Sequence, residues 1–226
     1  MWPTDSDHLA PISRIGKFIR EPFCGLSHLL GAVLSTAGLI VLLVVADGRV
    51  WHLVSFAIYG LALILLYAAS GFAHSLHCSA VTSAKLDRLD YAAIFLLIAG
   101  TYTPVCLITL RGPIGWTLFA VEWLIALFGV ITVLRGGARS NLARTWLYVL
   151  MAWLAVLATP ILIRRLAPGA IAWLLAGGVA YSVGAIVFVR RKPVLWPGTF
   201  GSHELWHCLV LVGSACHFVV MIRYIA

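Results

Sequence analysis

The chain has 226 residues, 62% of them hydrophobic and 11% charged, and a formal net charge of +8. A soluble domain of this size cannot hide so much apolar surface, so the composition excludes an ordinary globular protein and points to a polytopic membrane protein. In that class a basic excess marks one set of membrane-flanking loops rather than nucleic-acid binding, and the five cysteines, with no CxxC pair, read as reduced or buried thiols.

Residues 1–23 contain no apolar signal-peptide core, so they read as a cytoplasmic N-terminal segment and the first apolar run as a retained helix. Residues 24–226 read as one all-α domain, a bundle of seven transmembrane helices. The runs long enough to cross a bilayer are Cys24–Ala46, Trp51–Ala73, Tyr91–Leu110, Ile114–Leu134, Trp146–Ile163, Ala170–Val189 and Leu205–Ala226. Turn-forming strings separate several of them: Asp47-Gly48-Arg49, Arg111-Gly112-Pro113, Arg135-Gly136-Gly137 and Ala167-Pro168-Gly169. Pro104 and Pro160 fall inside spans and predict kinks. Gly177, Gly178 and Gly184 predict close helix approach. Trp51, Trp116, Trp146, Trp196 and Tyr224 suit an interfacial aromatic belt.

Charge predicts the orientation. Arg14, Lys17, Arg20, Lys85, Arg88, Arg135, Arg139, Arg144, Arg190, Arg191 and Lys192 fall on the N-terminal side of the membrane. Only Arg49, Arg111, Arg164, Arg165 and Arg223 fall on the other side. The positive-inside rule then puts the N-terminus in the cytoplasm and the C-terminus outside. The expected location is a bacterial inner membrane.

His74 ends the second apolar run, Asp90 precedes the third, and His203 and His207 precede or open the seventh. All four land at the same end of the predicted bundle, although their chemistry and not their position singled them out. His203 and His207 are four apart, so one helix face carries both imidazoles. Three histidines plus an oxygen ligand or water make up a catalytic zinc site with an open fourth position. Ser70, one turn deeper than His74, could bond a ligand, the water or a substrate carbonyl. Glu21 and His28 flank the start of the first helix as candidate supports for the ligands. Each residue also has a plainer reading. The histidines could be interfacial, Asp90 could suit a helix dipole, and Ser70 could be a small packing residue.

Other polar residues fit this cluster less well. His217 lies about 15 Å along the helix from His207 and cannot share its metal. His77 reads as solvated, Cys78 as a distant substitute ligand, and Cys208 as pointing about 100° away from the histidine face. Glu122 is costly in lipid, so it should face the bundle interior as a neutral carboxyl bonded to a neighbour; a pairing with His217 is open by depth.

The strings REPFCGLSH at Arg20–His28, SGFAH at Ser70–His74, LDYAAIFLLIAGTYTP at Leu89–Pro104, and HELWH with the later His217 resemble the hemolysin III family. That family lies within the larger group of progestin and adipoQ receptors and alkaline ceramidase-like proteins. The resemblance covers essentially the whole chain. It implies a seven-helix bundle with a zinc ion near its cytoplasmic end, held by residues matching His74, His203 and His207. It also implies that Asp90 holds a zinc-bound water and that Ser70 assists. Cys24 stands where the family more often has asparagine, which implies a lost hydrogen bond near Glu21. Glu122 stands where the family is usually apolar. The leading expectation is a zinc-dependent membrane hydrolase acting on a lipid amide (ceramide-like) or ester, with membrane lipid as partner, no nucleic acid, and a possible homo-oligomer. A receptor with structural zinc and a cytolytic pore are the alternatives, and another divalent ion could replace zinc.

Overall fold

The computed structural model describes residues 18–136 and 141–226. Arg14, Lys17, Arg139 and most of the N-terminal segment lie outside the described residues. The α-helices are α1 (Pro22–Val45), α2 (Val50–Ser75), α3 (Ala80–Pro104), α4 (Pro113–Leu134), α5 (Asn141–Trp153), α6 (Thr159–Arg165), α7 (Pro168–Arg190) and α8 (Ser202–Val220). A 3-10 turn, Leu154–Ala158, joins α5 to α6, and together they make one span. The described residues thus form 7 helical spans long and apolar enough to cross a membrane. The protein is an all-helical integral membrane protein.

Local chemistry sets the ends. Asp47 and Gly48 both have positive φ, 47° and 71°, which lets α1 reverse directly into α2. Pro22, Pro113 and Pro168 open α1, α4 and α7, where a missing N–H costs nothing. Ser79 Oγ accepts the Thr82 N–H at 3.3 Å and caps α3. Glu204 Oε2 accepts the Gly201 N–H at 2.8 Å and fixes the start of α8.

The third helix corrects the sequence reading. α3 begins at Ala80, well before Tyr91, because its first turns are polar and carry Lys85, Asp87 and Arg88. The apolar run marks what the bilayer needs; the helix needs only a cap and paired backbone groups. Asp90 therefore sits inside α3 rather than at its start, and its reading as a helix-dipole residue falls away. The two internal prolines do mark changes of pitch. A π-helical turn, Val105–Thr109, follows Pro104, and the 3-10 turn precedes Pro160. Backbone groups near the second change are met by Tyr102: its hydroxyl accepts from the Ala155 N–H at 2.8 Å and donates to the Met151 carbonyl at 2.9 Å.

α2 and α3 form the centre. α2 packs between α1 and α3, α4 covers α3, and α8 closes against α7 and α1. Phe56, Tyr59, Leu63, Leu66 and Tyr67 of α2 meet Leu42, Ala93, Leu97, Val210 and Val220 in one core. Phe95, Ala99, Ala126, Tyr148 and Met151 make a second core between α3, α4 and α5. Outward residues such as Leu30, Val33, Leu124 and Phe128 stay exposed, as lipid-facing side chains should. Gly177 and Gly184 lie at the α7–α8 contact, where the rings of His217 and Trp206 fill the space a Cβ would need. Gly178 faces Trp153 instead. The span made of α5 and α6 packs more thinly on its neighbours, and beside it lies a cavity of about 1390 Å³. At the end of α2 opposite His74, Trp51 and Trp116 pack edge to face at 5.7 Å, with Arg111 4.8 Å over Trp51.

Candidate metal centre

Four segments converge where α2 ends. α2 brings Ser70 and His74 one turn apart. α8 brings His203 and His207 in its first two turns. α3 brings Asp90, and the start of α1 brings Glu21, Cys24 and His28. Backbone bonds tie the α1 entry to the α2 exit: the Glu21 N–H donates to the His74 carbonyl at 2.9 Å, and the Arg20 N–H to the Ser75 carbonyl at 3.2 Å. Residues far apart in sequence are thus held side by side by main chain, which is the least adaptable means available.

The side chains then form a chain of contacts. Arg20 pairs with Glu21 Oε1 at 3.1 Å, and its other nitrogen donates to Ser83 Oγ at 2.7 Å. Glu21 Oε2 lies 2.7 Å from His74 Nδ1. A carboxylate accepts, so Nδ1 donates to it, and Nε2, once it has lost its own proton, is the nitrogen available to an ion. That Nε2 lies 3.8 Å from Asp90 Oδ2. Burial pushes the Glu21 carboxyl up, but the His74 hydrogen bond and the nearby charges of His74, His203 and Arg20 outweigh it and hold it at about 2. Glu21 is therefore a fixed anion that sets the ring orientation of His74, the arrangement seen where a carboxylate backs a metal-ligating histidine.

Around His74 the other imidazoles close in. Its ring centre is 5.0 Å from that of His203 and 4.8 Å from that of His207. The Nε2 atoms of His203 and His207 are 3.1 Å apart. Two nitrogens about 2.1 Å from one tetrahedral ion would be roughly 3.4 Å apart, so this pair already has nearly the spacing a zinc ion requires. His207 Nδ1 and both nitrogens of His28 are buried without a hydrogen-bond partner among the described residues. Glu21, His74 and His203 form one group whose ligand atoms lie within 4.8 Å of one another; Cys24, His203 and His207 form another. The donor set suits zinc: imidazoles with carboxylate or thiolate support.

All seven sequence-predicted residues meet in this region. His74 and His207 are buried, at 7% and 2% exposed, and His28 at 3%. Ser70 is buried and, with His74, Asp90, His203 and His207, lines the cavity. Cys24 is the residue that the sequence reading undervalued. Its position three residues after Glu21, in the same turn that serves the site, was the available signal. His77 and Cys78 are exposed in the loop between α2 and α3. The open pairing of Glu122 with His217 is not formed. His217 lies between α7 and α8, with Nε2 3.4 Å from the Leu174 carbonyl. Glu122 is enclosed on α4, 0% exposed, with neither oxygen partnered among the described residues.

The cavity runs from the histidines into the membrane-spanning region. Leu66, Ile94, Leu97, Val105, Leu174 and Tyr181 are among its lining residues. The arrangement can hold a cation at one end and an apolar chain along its length.

Residues 17–218 match the family model described as Haemolysin-III related. The chain is 41% identical over 217 residues to "Hemolysin-3" of Bacillus cereus, covering 95% of this chain and 96% of that one. It is 36% identical over 201 residues to "Hemolysin-3 homolog" of Bacillus subtilis (strain 168), covering 88% and 91%. It is also 32% identical over 181 residues to "Heptahelical transmembrane protein 5" of Arabidopsis thaliana, covering 72% of this chain and 48% of that one.

Proposed function

The chain belongs to the Haemolysin-III-related family, and from that premise we propose that it is a zinc-dependent membrane hydrolase cleaving an amide or ester bond of a lipid. One observation carries the reading: a histidine cluster, with His74 oriented by Glu21, lies at the head of a mostly apolar cavity of about 1390 Å³. A structural zinc needs no such cavity; a lipid substrate does. Bound there, zinc supplies Lewis-acid polarisation of a carbonyl and a nucleophile at neutral pH.

The chain's own residues do the rest. His74, His203 and His207 hold the ion, and Glu21 keeps the His74 lone pair aimed at it. Asp90, on the adjacent wall, orients the attacking water and accepts its proton, then returns it to the departing amine or alcohol. The Ser70 hydroxyl donates to the substrate oxygen as negative charge builds there. The apolar lining between α3, α5, α7 and α8 takes the acyl chain and excludes water from the scissile bond.

The basic residues flanking this end favour a cytoplasmic position for the site, with substrate entering sideways from the inner leaflet. The surrounding membrane is then the bacterial plasma membrane. A topology reporter fused after Ala226 should be found outside the cytoplasm. The decisive experiment is metal analysis of the purified protein and of His207→Ala, followed by lipid mass spectrometry of membranes treated with each. The reading expects zinc and turnover in the first and neither in the second. Stoichiometric zinc without turnover across a broad lipid panel would overturn it.

A further inference from the structure

Cys24 is a reactive group in the centre that the proposed reaction leaves unused. It lies in the first turn of α1 and is 1% exposed. Its Sγ and one nitrogen each of His203 and His207 all lie within 4.8 Å of one another. Sulfur and nitrogen donors on one tetrahedral ion sit about 3.5 Å apart, so a movement of about 1 Å brings Cys24 into the shell.

A second observation points the same way. His207 Nδ1 and both His28 nitrogens have no hydrogen-bond partner among the described residues, and the His28 and His207 ring centres are 4.0 Å apart. Buried polar atoms without partners are costly unless a ligand meets them. The thiol's own present contact is weak: Glu204 Oε1 lies 4.0 Å from Sγ, while Glu204 Oε2 is committed to the Gly201 N–H. The thiol's contact to Glu204 is thus weak, and imidazole nitrogens of His207 and His28 nearby lack a partner among the described residues.

We propose that Cys24 is an exchangeable fourth ligand of the metal held by the histidines. The inference rests on the metal reading of this site but not on hydrolysis. Sγ donates as thiolate, and its proton passes to water as the sulfur–metal bond forms. With Cys24 bound, the shell has three nitrogens and one sulfur and is closed. With Cys24 swung back to Glu204, the fourth position is free for water and substrate. Sulfur also biases the site towards soft ions and away from magnesium, calcium or manganese.

Cobalt(II) reports the shell directly, because a thiolate on cobalt gives intense near-ultraviolet charge-transfer absorption that nitrogen and oxygen donors do not. The full-length protein in lipid nanodiscs is stripped of metal and titrated with cobalt. Wild type should show the charge-transfer band together with weaker visible d–d bands. Cys24→Ser should lose the first and keep the second, and Cys208→Ser should keep both. Preference for cadmium over zinc should fall at least about 10-fold in Cys24→Ser. Stoichiometric cobalt without the band in wild type, or a band that survives Cys24→Ser, overturns the thiolate proposal alone. No cobalt binding by wild type overturns the metal reading with it. If the serine variant does not fold, Cys24→Asn takes its place; the wild-type spectrum decides the presence of sulfur in either case.

Discussion

Among the described residues, acidic groups are taken out of bulk water at the end of α2 and in α4, and the two places treat them in opposite ways. At the end of α2, Glu21 has a partner on each oxygen, Arg20 on one and His74 on the other, and Asp90 faces His74 as well. In α4, Glu122 is wholly enclosed beside Tyr102 and Cys106, with neither oxygen bonded among the described residues. Glu122 is the more deeply buried, and Glu21 and Asp90 keep 19% and 15% of their side chains exposed, so burial alone does not mark a site. What separates the two is convergence. Donors from α1, α2, α3 and α8 meet at the first, and a carboxylate orients the His74 ring. The second is a single side chain from one helix.

The largest effects should come from the ligands. His207→Ala leaves His203 without its neighbour 3.1 Å away, and zinc affinity should drop by more than about 100-fold, since even supporting residues cost 10–100-fold. Equilibrium dialysis against a zinc indicator measures it. Asp90→Asn keeps the shape of the wall but loses the base. Zinc content should hold while turnover on the lipid substrate falls by about 10²–10⁴-fold. If Asp90→Asn instead releases the metal, Asp90 is a ligand rather than a water-orienting group.

Glu21→Gln comes next, with an expected loss of about 10–100-fold in zinc affinity. The amide can still meet His74 Nδ1, but it no longer backs the ring with a charge. The pH dependence has a definite sign. The Glu21 pKa is lowered from 4.5 to about 2 by contacts that outweigh its burial. Its contribution to stability is therefore complete above pH 4.5 and is lost as pH falls towards 2. Thermal midpoints of the metal-free protein should show this acid-side decline in wild type, and a smaller one in Glu21→Gln.

The sequence made the spans plain because a bilayer demands unbroken apolar runs, and those runs are visible residue by residue. It also brought His74, Asp90, His203 and His207 to one end, since alternating spans fix which ends coincide. The start of α3 was hidden because the turns that carry Lys85, Asp87 and Arg88 are helical without being apolar. Glu21 was legible as a support for the ligands, but two specific contacts were hidden for another reason. Glu21 backing His74 requires the α1 entry to bond across the α2 exit, and Cys24 reaching His203 and His207 requires α1 to lie against α8. Neither approach leaves a periodicity in the chain.

The smallest expected effect tests the comparison from its other side. Glu122→Gln preserves volume and one carbonyl oxygen while removing the acid. If Glu122 has no part in the chemistry, zinc affinity should match wild type and stability should change by no more than about 1 kcal/mol, read as a shift in thermal midpoint. Glu122→Leu should then be tolerated too, with a thermal midpoint at or above that of wild type, because an enclosed polar group without partners costs more than an apolar one that fits. A Glu122→Gln protein that keeps its midpoint and its zinc yet loses turnover would break the distinction. A lone carboxyl on α4 would then act on a centre built by α1, α2, α3 and α8, and the route would have to run through α3. That helix presents Tyr102 and Asp90 on the cavity wall, and the π-helical turn that follows it presents Cys106 beside Glu122, so Tyr102→Phe would be the next variant to measure.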